Sequence, residues 1–116
     1  MTTREVAVVA RGAGADLRQA VALALALPLG GCDVVLVLEG GARELVAQAG
    51  TTAASRTDDM TALMEALLAE DSVEILARLD AGEAPTLASR LRPQVRTAGA
   101  DEIEARCRRA DHWLVV

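Results

Sequence analysis

Two uninterrupted apolar runs, rich in β-branched residues, constrain the fold of this chain more than any other feature. They are VAVVA at residues 6–10 and the apolar part of DVVLVL at residues 33–38. Neither run alternates apolar with polar residues, so each predicts a strand that is buried on both faces of its sheet. Because such strands occur where helices cover both sides of a parallel sheet, the sequence predicts an α/β fold.

Segments with helical patterns lie between the strands. Asp16 is a suitable N-cap for a helix over residues 17–27, which ends at a proline and a pair of glycines. A second, short helix is predicted over residues 42–49. Two more are predicted over residues 59–70, where apolar residues recur at helical spacing, and over residues 100–109.

Three further strands complete the pattern, over residues 73–79, 94–97 and 111–116. Each connection between consecutive strands is long enough to carry a helix, which favours parallel pairing. The 116 residues contain no internal repeat and no linker. We therefore predict a single domain, residues 1–116, built as a three-layer α/β/α sandwich around a mostly parallel five-stranded sheet.

The first helix carries more apolar surface than one buried face requires. Residues 17–29 are apolar at nearly every position, including those that face solvent on the surface helix of a monomer. Burial of the second face against another subunit would remove this surplus from water. The alternative is that alanine occupies the exposed positions, where it tolerates water well. The pattern therefore predicts an oligomer without requiring one.

Composition excludes several classes of function. The net charge is −5 and all 12 basic residues are arginine, so phosphate binding by a basic surface is disfavoured and lysine chemistry is absent. Trp113 is the only aromatic residue, which removes the usual side chains for base stacking. The longest apolar stretch, residues 20–29, is broken by a proline and is shorter than the roughly 20 residues of a membrane span. We predict no nucleic-acid partner and no membrane segment.

The cysteines and the single histidine indicate neither a disulfide framework nor a metal site. Two cysteines in a chain without a secretory leader are typical of the cytoplasm, where thiols stay reduced. His112 has no second histidine and no spaced cluster of cysteines or carboxylates to form a zinc site with it. The glycines after Arg11 fit only part of a dinucleotide fingerprint, because Leu17 stands where the third glycine belongs. We predict no metal and no cofactor.

Cys107 is the better of two candidates for a reactive thiol. Arg106, Arg108 and Arg109 flank it in the sequence, and positive charge favours the thiolate. Cys32 precedes the second strand, at the edge of the sheet opposite to the edge where such folds bind ligands. An enzyme that uses Cys107 as a nucleophile is therefore one hypothesis. The other interpretation is that both cysteines pack as small hydrophobic residues.

Polar residues follow the predicted strands at their carboxyl ends, the edge where open α/β sheets bind ligands. Arg11 follows the first strand, Glu39 follows the second, Arg78 and Asp80 lie at the carboxyl end of the third, and Thr97 ends the fourth. Two arginines among two carboxylates can hold an anion or form a salt-bridged rim at an interface. We interpret them as a rim. A small-ligand or anion-binding module that uses Arg11 and Arg78 is the alternative.

The order of these segments resembles the DsrE/DsrF-like family of sulfur-relay proteins, in its TusC or DsrF branch. The resemblance rests on VAVVARGAGADLRQAVALALAL, VVLVLEGGA, TALMEALLAE followed by VEILARL, and IEARCRRADHWLVV. It covers almost the whole chain. It is a likeness in the pattern of elements more than in individual residues.

The resemblance implies a function for which one residue is missing. Sulfurtransferases of the family carry a persulfide-forming cysteine at the end of the third strand, and Ala77 and Arg78 stand at that position. Neither side chain can carry sulfur. The resemblance therefore implies a non-catalytic or accessory subunit, which assembles with itself or with DsrE- or TusD-like subunits.

Overall fold

The computed structural model of the chain describes residues 4–12, 15–46, 58–79 and 95–116. The strands in this part of the chain are β1 (Glu5–Ala10), β2 (Asp33–Leu38), β3 (Val73–Arg78), β4 (Arg96–Ala98) and β5 (His112–Val115). The α-helices are α1 (Ala15–Ala26), α2 (Asp58–Ala69) and α3 (Ala100–Arg109). All neighbouring strands pair in parallel, in the order β4-β3-β2-β1-β5. The predicted α/β sandwich with a five-stranded sheet is confirmed.

Alternate residues of the central strands face two separate apolar layers. Val8 of β1 and Leu36 of β2 face the layer formed by α1 and α2. Val9 and Val35 point to the other side of the sheet, where they meet Ile103 of α3. Because both faces are covered, β1 and β2 are apolar without alternation, which is the pattern that the sequence displays.

The first helix differs from its prediction at both ends. It begins at Ala15, so Asp16 lies inside the helix rather than at its N-cap. It is followed by a 3-10 helix, Leu27–Gly30, with a proline in its first turn. Gly31, at φ 87°, ends this second helix in the left-handed conformation that glycine adopts freely. None of the helices in the described ranges combines the length and the apolar character that crossing a bilayer requires.

The apolar surplus of α1 is mostly alanine. Among its described side chains, the exposed ones are those of Arg18, Gln19, Ala22 and Ala26. Leu29, in the 3-10 helix that follows, is 90% exposed. Alanine at the solvent-facing positions is the alternative that the sequence left open, so α1 by itself gives little support to an oligomer.

The prediction of an α-helix over residues 42–49 is wrong in the type of helix. The chain forms a 3-10 helix, Gly40–Val46, and residues 47–50 lie outside the described part. The turn starts directly at the end of β2, where the Ala42 N–H donates to the Glu39 carbonyl at 3.1 Å. The Arg43 side chain also donates to the Gly40 carbonyl at 3.0 Å. These short-range bonds favour the tighter helix.

The two edge strands differ from their predictions in bounds, and β5 is exposed. β4 is shifted relative to residues 94–97 because its register on β3 sets its position, with Leu76 opposite Arg96. β5 pairs with β1 as the last strand of the sheet. All of its residues are exposed, so this apolar strand lacks the burial on both faces that β1 and β2 have.

Candidate functional site

Three of the predicted edge residues meet at the carboxyl ends of neighbouring strands. Arg11 follows β1, Glu39 follows β2 and Arg78 ends β3. One carboxylate oxygen of Glu39 lies 3.4 Å from Nε of Arg11, and the other lies 3.2 Å from Nη1 of Arg78. We call these three residues the rim. Asp80 lies outside the described residues, and Thr97 is half-buried in the middle of β4 rather than at its end.

The carboxylate of Glu39 is the most buried part of the rim. Its side chain is 14% exposed, against 66% for Arg11 and 38% for Arg78. Each of its oxygens faces one guanidinium group. An anion at this edge would therefore compete with Glu39 for both arginines. The geometry supports the interpretation as a salt-bridged rim and gives less support to an anion site.

A glycine and a third arginine hold the rim in place. Gly40 has φ 56°, and a Cβ at this position would lie 2.9 Å from the backbone oxygen of Arg11. Arg43 donates from Nη1 to the carbonyl of Arg78 at 3.0 Å. The turn after β2 is thus fixed to the ends of β1 and β3. The role of Gly40 and Arg43 depends on contacts with other strands, so no local sequence pattern indicates it.

We expect Glu39→Gln to lower the free energy of unfolding by about 1 kcal/mol, because a neutral amide replaces the carboxylate shared by Arg11 and Arg78. Urea unfolding followed by circular dichroism measures the change. Glu104→Gln is the matched control, since Glu104 pairs with Arg108 one turn away on an exposed helix face. Its effect should stay below about 0.5 kcal/mol. Equal effects at the two positions would contradict the structural role of the rim.

Neither cysteine lies at the carboxyl end of a strand. Ala77 is completely buried, and Arg78 directs its guanidinium to Glu39. Cys32 is half-buried and precedes β2, at the opposite edge. Cys107 is buried on α3. The carboxyl end of β3 therefore holds a buried methyl group and an ion-paired arginine.

The surroundings of Cys107 disfavour a thiolate. The residue is 1% exposed and belongs to the apolar layer between α3 and the sheet. Burial raises the pKa of the thiol, the negative charge of Glu39 raises it further, and Arg106 lowers it in part. A raised pKa keeps the thiol protonated at neutral pH, and the protonated form is a poor nucleophile. The structure supports packing as the role of Cys107.

The same pKa shift gives Cys107 a defined effect on stability. The thiol pKa is higher in the folded chain than in the unfolded chain. Its contribution to stability is therefore fully present below the ordinary cysteine pKa and is lost as the pH rises through the folded-state value.

Two of the three arginines that flank Cys107 in the sequence form ion pairs with other residues. Arg106 lies 2.8 Å from Glu74 and 3.6 Å from Glu5. Arg108 pairs with Glu104 on the outer face of the helix. Adjacent residues of a helix point in different directions, so neighbours in sequence do not share an environment.

A second charged cluster, which the sequence did not indicate, lies around Glu74 on the face of the sheet under α3. Glu74 accepts from Arg106 at 2.8 Å and from Arg96 at 3.2 Å. A cavity of about 390 Å³ beside it is lined by Glu74, Arg96, Glu102, Ala105, Arg106 and Arg109. In the described ranges, no group of three or more histidine, cysteine or acidic residues is arranged to hold a metal ion. No local sequence signal joins these residues, because they come from two strands and a helix.

Comparison with known proteins gives a structural likeness only. No family model and no curated protein sequence matches the chain. Among solved structures, the crystal structure of the YchN protein from E. coli is similar in fold, with a TM-score of 0.76. The match covers 99% of this chain and 100% of YchN, at 18% sequence identity. Over essentially its whole length, the chain has the fold of YchN.

Proposed function

We propose that this chain is a non-catalytic, accessory subunit of a DsrE/DsrF-like sulfur-relay assembly in the cytoplasm. The observation that carries the proposal is the identity of the two side chains at the carboxyl end of β3. Ala77 is buried there, and Arg78 is held by Glu39 at 3.2 Å. A persulfide carrier needs a thiolate at this position, and these two side chains offer none.

The fold and the order of segments support the same proposal. One domain over residues 1–116 is the unit that the resemblance implies, and the fold match extends over 99% of the chain. In this proposal the chain contributes structure or docking, and a DsrE- or TusD-like subunit accepts and passes the sulfur. The chain needs no cofactor for that role.

Persulfide loading tests the proposal directly. We expect the folded chain to take up no sulfur at Cys107 when it is incubated with glutathione persulfide and analysed by mass spectrometry of its peptides. The reason is the burial and the raised pKa of that thiol. The same incubation in denaturant is the control, because Cys107 is then accessible and a competent donor will modify it.

Loading of the folded chain at Cys107 would contradict the proposal, provided that Cys107→Ser abolishes it and Cys32→Ser does not. The Cys32→Ser variant is the matched control because Cys32 lies at the other edge of the sheet and is half-buried. Loading confined to Cys32 would indicate a surface thiol rather than a relay site, and it would leave Cys107 in its packing role.

A further inference from the structure

The charges that line the cavity of about 390 Å³ beside Glu74 are only partly paired. Glu74 pairs with Arg96 and with Arg106, and Arg106 also lies 3.6 Å from Glu5. In this network two carboxylates balance two guanidinium groups. The volume of the cavity is within the range of small-molecule sites, roughly 300–1,000 Å³. A neutral network therefore forms one part of a cavity whose size suits a small organic molecule.

Two further charged residues of the lining, Glu102 and Arg109, stand outside this network. Within the described residues, neither side chain has a hydrogen-bond or ion-pair partner. Arg109 follows Glu102 by two turns of α3, so the two residues lie on the same side of the helix, about 10 Å apart along its axis. The cavity therefore offers one unpaired carboxylate and one unpaired guanidinium group at separate positions.

We propose that this cavity binds a small zwitterion, with its carboxylate at Arg109 and its ammonium group at Glu102. A planar guanidinium group matches a carboxylate in geometry, and a carboxylate accepts hydrogen bonds from an ammonium group. A ligand with both groups pairs both side chains at once. A simple anion at Arg109 leaves Glu102 unpaired, and a simple cation at Glu102 leaves Arg109 unpaired. An amino acid whose two charges lie at opposite ends of a short carbon chain has the required form.

The site is separate from the rim, and the inference does not depend on the proposed function. Glu102 lies in the first turn of α3 and Arg109 in the last, where charges of these signs also stabilise a helix. The readout must therefore be the binding of a ligand, because a purely stabilising role would not respond to one.

Titration of isotope-labelled protein with γ-aminobutyrate at low ionic strength, followed by NMR, tests the proposal. We expect saturable shifts of the backbone amide signals of α3. Butyrate and butylamine each retain only one of the two charged groups. They should bind at least about fivefold more weakly than γ-aminobutyrate, because each loses one ion pair.

Variants of the two residues separate their roles. Glu102→Gln should weaken the binding of γ-aminobutyrate about fivefold without weakening that of butyrate, since only the ammonium group loses its partner. Arg109→Gln should weaken the binding of both. The matched controls are Glu104→Gln and Arg108→Gln, which make the same changes of charge in a pair outside the cavity lining. They should leave both affinities unchanged.

Three results would overturn the inference. The first is the absence of saturable shifts with γ-aminobutyrate. The second is equal affinity for butyrate and γ-aminobutyrate, which would indicate a simple anion site. The third is an equal loss of affinity in the variants and in their matched controls, which would indicate a general effect of charge. None of these results bears on the persulfide test of the proposed function.

Discussion

Leu36→Ala is expected to lower the free energy of unfolding by about 3 kcal/mol. Leu36 is completely buried in β2, where it lies opposite Val8 of β1 and Ile75 of β3. Shortening it leaves a cavity that two neighbouring strands and the α1 layer cannot fill. For a domain whose total stability is about 5–15 kcal/mol, this is a large part of the whole.

Urea unfolding measured by circular dichroism checks the value. The matched control is Leu29→Ala, which removes the same atoms from a side chain that is 90% exposed. We expect a change within about 0.5 kcal/mol for the control. Similar losses at Leu36 and Leu29 would contradict the placement of Leu36 at the centre of the core.

The second large effect is expected at Gly40. Gly40→Ala should destabilise the fold by about 2 kcal/mol or more, because the left-handed backbone at φ 56° is unfavourable for alanine. The added Cβ would also lie 2.9 Å from the backbone oxygen of Arg11, so β1 or the turn after β2 must move. Movement of either one displaces Arg11 from Glu39.

Gly31→Ala separates the two causes of this effect. Gly31 also has a positive φ, 87°, but an added Cβ would meet nothing within 4 Å. We expect a loss of about 1 kcal/mol for Gly31→Ala, from backbone strain alone. The excess loss in Gly40→Ala, measured by the same urea unfolding, then reports the close approach of the β2 turn to β1. An equal loss at both glycines would contradict that contact.

Of all parts of the site, the rim is the one whose residues and location could best be predicted from the sequence. Arg11 and Glu39 follow β1 and β2, Arg78 ends β3, and the carboxyl ends of parallel strands share one edge. That is enough to predict that they lie close together. The distribution of contacts within the rim could not be predicted, because Glu39 lies between the two arginines only when β2 lies between β1 and β3.

The environment of Cys107 could not be predicted from its neighbours in the sequence. Three flanking arginines suggested a positive site, and the helix directs Arg106 to Glu74 and Arg108 to Glu104 instead. The apolar spacing of Ile103 and Cys107 on the same helix was the better guide, since both residues are buried against the sheet.

The sequence by itself determined the central strands, because an unbroken apolar strand removes all of its side chains from water only when layers cover both faces of the sheet. It also determined that the end of β3 carries no thiol. Only the tertiary structure decided that β5, as apolar as β1 and β2, lies at an edge with Trp113 exposed, and that Glu74 joins Arg96 to Arg106. Strand order and helix docking arise from contacts between residues far apart in the chain. A local pattern of apolar residues does not predict these contacts.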